Sequence, residues 1–219
     1  MVAAQEKRPP GRGERRRQET RAKLIRAAHE LMAEKGINAT TIQEITDTAD
    51  VGFGSFYNHF ESKQAIVQAI IDETIESYGD ALDHIADAVE DPAEVLAASV
   101  RYVVMRGCEE PAWGWFLIRA SLTMEALRVG LGRRMARDIR AGVESGRFRA
   151  GNVTHTTVAI GGSILSMLAA RLQGEIGAEA PEAAAAIALK LAGLPARQAE
   201  AVASRPLPEL PQLGENAAA

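Results

Sequence analysis

Residues 40–60 read TTIQEITDTADVGFGSFYNHF, and the punctuation of this stretch decides the fold. Thr40 with Gln43, or Thr41 with Glu44, has the spacing in which a hydroxyl and a side-chain carboxyl or amide satisfy free backbone N–H groups at a helix start. Ile42, Ile45 and Ala49 then share one helical face, and Asp50-Val51-Gly52 breaks the pattern after little more than two turns. Phe53 to Phe60 predicts a further short helix. Phe56 and Phe60, four residues apart, turn inward over Val51, leaving Ser55, Tyr57, Asn58 and His59 largely outward. Two short helices joined by a tight glycine-containing turn fit a helix-turn-helix unit.

Upstream, Leu24, Ala27, Ala28, Leu31 and Met32 recur at helical spacing, giving an amphipathic first helix that stops at Gly36. Residues 1–18 hold Pro9, Pro10, Gly11 and Gly13 among charges, with no apolar period, and are expected to be a flexible basic arm. Downstream, Ser62 is placed to cap a long helix whose apolar stripe runs from Ile66 to Val89. Asp91-Pro92 and Glu110-Pro111 start two more helices, because proline suits the first helical turn. Gly130, Gly132 and Gly146 punctuate the stretch that follows; residues 154–176 and 181–194 read as apolar-rich helices, and Pro206, Pro208 and Pro211 mark a disordered tail. The expected architecture is all-α. An arm (1–18) precedes a three-helix helix-turn-helix domain (19–66), a larger helical domain (67–203), which the family resemblance given below makes the ligand-binding and dimerisation domain, and the tail (204–219).

A hydrophobic content of 47% over 219 residues is enough to build a core without staples. Cys108 is the lone cysteine, which excludes an intrachain disulfide and suits a reducing cytoplasm. The longest nearly apolar run, Val158 to Ala170, is too short to cross a bilayer, so no membrane partner is expected. Net charge is −4, but Lys7 to Arg26 carries nine basic and two acidic residues, +7 on an otherwise acidic body. A basic end directs polyanions to one place. Catalysis is not expected. The histidines (His29, His59, His84, His155) are scattered, there is no HExxH or P-loop, and Cys108 has no base near it in sequence; no cofactor or resident metal is implied.

The chemistry of residues 40–63 agrees with DNA binding. No acidic group interrupts Val51 to Phe60, and Thr40 and Thr41 stand at a helix start whose free N–H groups favour anions. TTIQEIT followed by VGFGSFYNHFESKQAI resembles the DNA-binding domain of the tetracycline-repressor (TetR) family over roughly residues 20–70. The resemblance implies a homodimer on a palindromic operator of double-stranded DNA, acting as a repressor released by an unknown small-molecule effector. By position it gives phosphate contacts to Thr40, Thr41, Tyr57, His59 and Lys63. Base edges or sugars fall to Phe53, Gly54, Ser55 and Asn58, and Arg17 and Arg21 reach the adjacent backbone or minor groove. Gly52 and Phe53 depart from the family, which often has a hydroxyl residue and a polar residue there. The capping bond is lost, and Phe53 is left either to the core or to a thymine methyl. The alternative is a helical ligand-binding or interaction module that no longer reads specific DNA.

The C-terminal half carries no motif. Met105, Cys108, Trp113, Trp115, Phe116, Met124, His155 and Met167 are candidates for lining an effector cavity, with ordinary core packing as the competing role. Small residues crowd the last two apolar helices, and in the family the two long C-terminal helices of each subunit make a four-helix dimer interface.

Overall fold

The computed structural model describes residues 11–121 and 125–209, with backbone alone for 74–77 and 125–129. Among the described residues there are ten helices and no strand. The DNA-binding unit comprises α1 (Arg12–Lys35), α2 (Ile42–Thr48), α3 (Phe53–Tyr57) and the start of α4 (Lys63–Ala88). Gly36 ends α1 with φ 87°, a left-handed turn that a side chain would strain. Of the two cap registers, Thr41 with Glu44 is the one adopted. Asp50, at φ 53°, makes the turn into α3. Leu24, Ala28, Met32, Ile45, Phe56, Phe60 and Ile66 close the small core.

The rest of α4 belongs to the larger domain, with α5 (Pro92–Glu109), α6 (Pro111–Ser121), α7 (Glu125–Glu144), α8 (Val153–Leu172), α9 (Ala180–Leu191) and α10 (Ala196–Ala203). Asp91 caps α5 through Ala93 N–H with Pro92 in the first turn, and Asn152 caps α8 through His155 N–H. α9 lies against α5, α8 and α10, while α4 packs on α7. α1 leans on α6, so the two domains share a seam beyond the continuous α4.

Several expectations change. α1 begins at Arg12, not near residue 19, because Arg12–Gln18 are strong helix formers apart from Gly13 and the prolines lie before Gly11. Gly130 and Gly132 sit inside α7: long-chain helix formers around them carry the helix, and no neighbour crowds Gly132. α10 forms beyond the last expected helix. Ser204 to Glu209 are not a free tail: Arg205 pairs with Glu94, Arg101 donates to Arg205 O at 2.5 Å, and Leu207 packs on the core. α8, at 20 residues, is long and apolar enough to cross a membrane by length and composition, which an unbroken-run criterion misses. Here it packs on α5, α6, α7 and α9 and leaves one apolar face open.

Candidate DNA-reading and effector sites

α3 is short because Gly52 supplies no capping side chain and the chain turns out of the helix at Asn58. Phe56 is its one buried residue. Phe53 and Tyr57, on the opposite side, are 47% and 52% exposed and meet edge to face at 5.7 Å. That places Phe53 outside the core. Gly54 and Asn58 are exposed beside them, with Ser55 half-buried. Arg17 on α1 donates to Asn58 O at 3.4 Å, and Arg21 lies 5.3 Å above the Phe60 ring while pairing with Glu73 at 2.9 Å. His59 sits by both arginines. Its partial burial and their charges lower its pKa, so it is neutral at pH 7.

Three of the expected phosphate ligands are otherwise engaged. Thr40 is completely buried, and its hydroxyl donates to Gly36 O at 2.9 Å, so it stitches the loop instead of facing solvent. Thr41 is exposed, but its N–H and its hydroxyl both donate to the Glu44 carboxylate. Hydrogen bonds from Lys35 and Thr41 hold that carboxyl ionised, with its pKa lowered to about 2, and a fixed anion there opposes a phosphate. Lys63 spends its three ammonium protons on the carbonyls of Ile37, Asn38 and Thr40 at 3.0, 3.3 and 2.9 Å. It therefore clasps the α1–α2 loop to the start of α4. Lys63→Ala should lower unfolding stability by about 1–3 kcal/mol, since three carbonyls lose a charged donor. A urea titration checks this; an unchanged midpoint would return Lys63 to the phosphate-binding role.

The effector candidates do not form one constellation. Phe116 is buried against His29 at the α1–α6 seam, ring centroids 5.1 Å apart. Trp115 is half-buried beneath Arg119. His155 is exposed at the first turn of α8 and lines no interior space. Met105, Cys108 and Met167 are half-buried, and Met124 lies outside the described residues. Trp113 alone joins a polar interior cluster: its indole stacks on Tyr78 of α4 at 4.0 Å, with Tyr102 of α5 at 5.8 Å from Tyr78. The Trp113 indole N–H and the Tyr102 hydroxyl are buried without a partner, and Arg106 lies over the Tyr78 ring at 6.0 Å. Burial pushes both phenols up.

Further along α4 lies a charge network that the sequence does not single out. Arg134 Nε and Arg137 Nη1 of α7 donate to the two oxygens of Asp83 on α4 at 3.0 and 2.6 Å. Arg137 Nε donates to Asp138 at 2.9 Å. Asp138 is 7% exposed, the one buried charged residue among those described. Burial raises its pKa against the pull of Arg137. For Asp83 burial also disfavours the charge, but the hydrogen bonds from Arg137 and Arg134 outweigh it and the pKa is lowered. Gly79, one turn before Asp83, leaves room for the Arg134 guanidinium; a Cβ there would strike it.

A basic first helix, a capped second and an acid-free, solvent-facing third, joined to a larger helical domain, define a two-domain helix-turn-helix regulator. Residues 24–70 match the family described as "Bacterial regulatory proteins, tetR family", and residues 91–205 match "Tetracyclin repressor-like, C-terminal domain". The chain belongs to the tetracycline-repressor family of transcriptional regulators. It is similar to the crystal structure of RolR in complex with resorcinol, with 36% identity and TM-score 0.69 over 90% of this chain and 99% of that one. It shares its fold, at 17% identity and TM-score 0.67, with FadR from Bacillus subtilis bound to stearoyl-CoA, over 78% of this chain and 97% of that one. The HTH-type transcriptional regulator TtgR of Pseudomonas putida is 40% identical over 78 residues, 36% of this chain and 35% of TtgR. The repressor KstR2 of Mycolicibacterium smegmatis is 32% identical over 76 residues, 35% of this chain and 37% of KstR2. The chain thus spans about a third of the length of the curated relatives it matches.

Proposed function

We propose that the chain is a cytoplasmic, homodimeric repressor that holds a palindromic operator through α1 and α3 and leaves it when a small hydroxylated aromatic occupies the larger domain. The exposed, acid-free face of α3 carries the first half of this reading: two aromatic rings and Asn58 stand free of the core, next to Arg17 and Arg21. Phosphate contact falls to the arginines, the Tyr57 hydroxyl and His59; base edges fall to Phe53, Gly54, Ser55 and Asn58.

The second half rests on the Asp83–Arg134–Arg137–Asp138 network. Partly buried ion clusters contribute little net stability, so a ligand that offers replacement hydrogen bonds can rearrange one at small cost. A phenolic hydroxyl can donate to the Asp83 carboxylate and accept from an arginine. Resorcinol, the ligand held by RolR, is a molecule of this class. Asp83 lies on α4, the same 26-residue helix whose first turn is clasped by Lys63 to the reading head. A shift of α4 against α7 would therefore move α2 and α3. Selection of random duplexes on the purified protein, then fluorescence anisotropy of the enriched sequence with and without resorcinol, tests both halves. A palindrome released by micromolar to millimolar ligand supports the reading; salt-sensitive binding without enrichment sinks it.

A two-fold partner suits α8 and α9. Val158 is 65% exposed, Ile187 and Leu191 are exposed on α9, and Ala159, Gly161 and Gly162 let a second helix approach closely. Val158→Asp is expected to convert the dimer to monomer in sedimentation velocity and to abolish tight operator binding. A dimer that persists would move the interface elsewhere.

A further inference from the structure

The geometry points to Phe53 as a thymine reader: its ring, braced by Tyr57, is placed to pack on the 5-methyl group of a thymine in each operator half-site. This rests on the DNA-binding reading above and supplies its sequence preference. The four base pairs differ in the major groove by donors, acceptors and one apolar feature, the thymine methyl. Guanine is best read by Arg or Lys, adenine by Asn or Gln, and cytosine by Asp or Glu. Residues 52–59 contain none of these except Asn58, which stands at the end of α3 and whose main-chain carbonyl, not its side-chain amide, receives Arg17. Hydrogen-bonding readout on this face therefore falls to Asn58 and Ser55.

What the face does present is apolar. Phe53 keeps 47% of its surface in solvent although it sits in the first turn of a helix whose Phe56 is fully buried. The sequence allows Phe53 either a core role or a DNA role, and the structure removes it from the core. Tyr57, one turn later, meets the Phe53 ring edge-on at 5.7 Å, which limits its rotamers and keeps it projecting. Gly52 and Gly54 flank it without side chains of their own, so a base edge can approach the ring from either side. An exposed phenylalanine with bare neighbours and an aromatic brace is suited to one flat, methyl-bearing target.

The test uses the full-length chain and the operator recovered by selection. Each thymine is replaced by deoxyuridine, at symmetric positions in both half-sites, which removes the methyl and leaves every hydrogen bond intact. One buried methyl per half-site corresponds to about a fourfold loss of affinity, about fifteenfold for the pair. Wild-type protein is expected to show this loss at one or two adjacent positions, Phe53→Leu to keep part of it, and Phe53→Ala to bind the thymine and uracil duplexes alike. Because Phe53 is exposed, the melting temperature of Phe53→Ala should stay within a few degrees of wild type, so lost discrimination is not lost folding. An operator without a uracil-sensitive position, or a sensitivity that survives in Phe53→Ala, overturns the assignment while leaving the regulator intact. Failure to enrich any operator overturns the function itself.

Discussion

Asp83→Ala is expected to leave operator affinity within about threefold of wild type while weakening effector binding by about 2–3 kcal/mol, roughly 30- to 150-fold. The carboxylate receives hydrogen bonds from Arg134 and Arg137, and nothing else described on α4 bridges to α7 in this way. Its removal takes away the proposed acceptor for a phenolic hydroxyl and one acceptor from each guanidinium, leaving Arg137 its bond to Asp138. DNA affinity should survive, because α2, α3 and the Lys63 clasp are untouched. Asp83→Asn separates shape from charge: it keeps an acceptor oxygen but no ionic pull on the arginines, and should fall between the two. Calorimetry with resorcinol and anisotropy of operator release read the two properties on one preparation. An Asp83→Ala protein that still releases its operator at the wild-type ligand concentration would move the effector to the Tyr78–Tyr102–Trp113 cluster, where unpartnered donors wait.

The second large effect is acid-induced loss of stability through His29. Burial lowers its pKa to about 4, its Nε2 has no partner, and its ring rests on Phe116 across the α1–α6 seam. In the unfolded chain the imidazole takes a proton near pH 6.5, whereas in the fold it stays neutral until about pH 4. The unfolded state therefore binds more protons between those values, and stability falls as pH drops through that window. At about 1.4 kcal/mol per pH unit the loss should approach 2 kcal/mol between pH 6.5 and 5. Asp83 adds a loss of the same sign at lower pH, because its depressed pKa stabilises the fold only while it is ionised. Urea titrations of wild type and His29→Leu at pH 7 and 5 isolate the histidine: the variant should lose much less. Equal losses in both would assign the acid sensitivity to the carboxylates.

The helix-turn-helix is legible because its signals are local. The cap at Thr41–Glu44, the stop at Gly36 and the inward pair Phe56 and Phe60 are each decided within four residues. Misreadings arise where a distant contact outweighs the local cue. Thr40 is an exception, a hydroxyl that looks free at a helix start although its acceptor, Gly36 O, is only four residues back; Lys63 looks like a surface cation until three carbonyls 23 to 26 residues away surround it. The network on Asp83 is hidden for the same reason. In sequence Asp83 stands among Asp80, His84 and Asp87, a row that reads as a solvated face, and its partners lie 51 and 54 residues away. Conversely, His155 and Met105 are singled out by residue type alone, and type does not say which way a helix turns.

The strap at Arg205 has a bearing on synthesis. Its pairing with Glu94 joins residues 111 positions apart, and α9 fills the groove along α5. A ribosome therefore delivers the reading head, whose core contacts are mostly local, well before the larger domain can close. With the proposed dimer face on α8 and α9, a nascent chain has nothing to pair with until those helices emerge, so a half-made chain is expected to hold one half-site and to compete weakly for the operator. On that proposal, the order of helices along the chain keeps unfinished copies from occupying their targets.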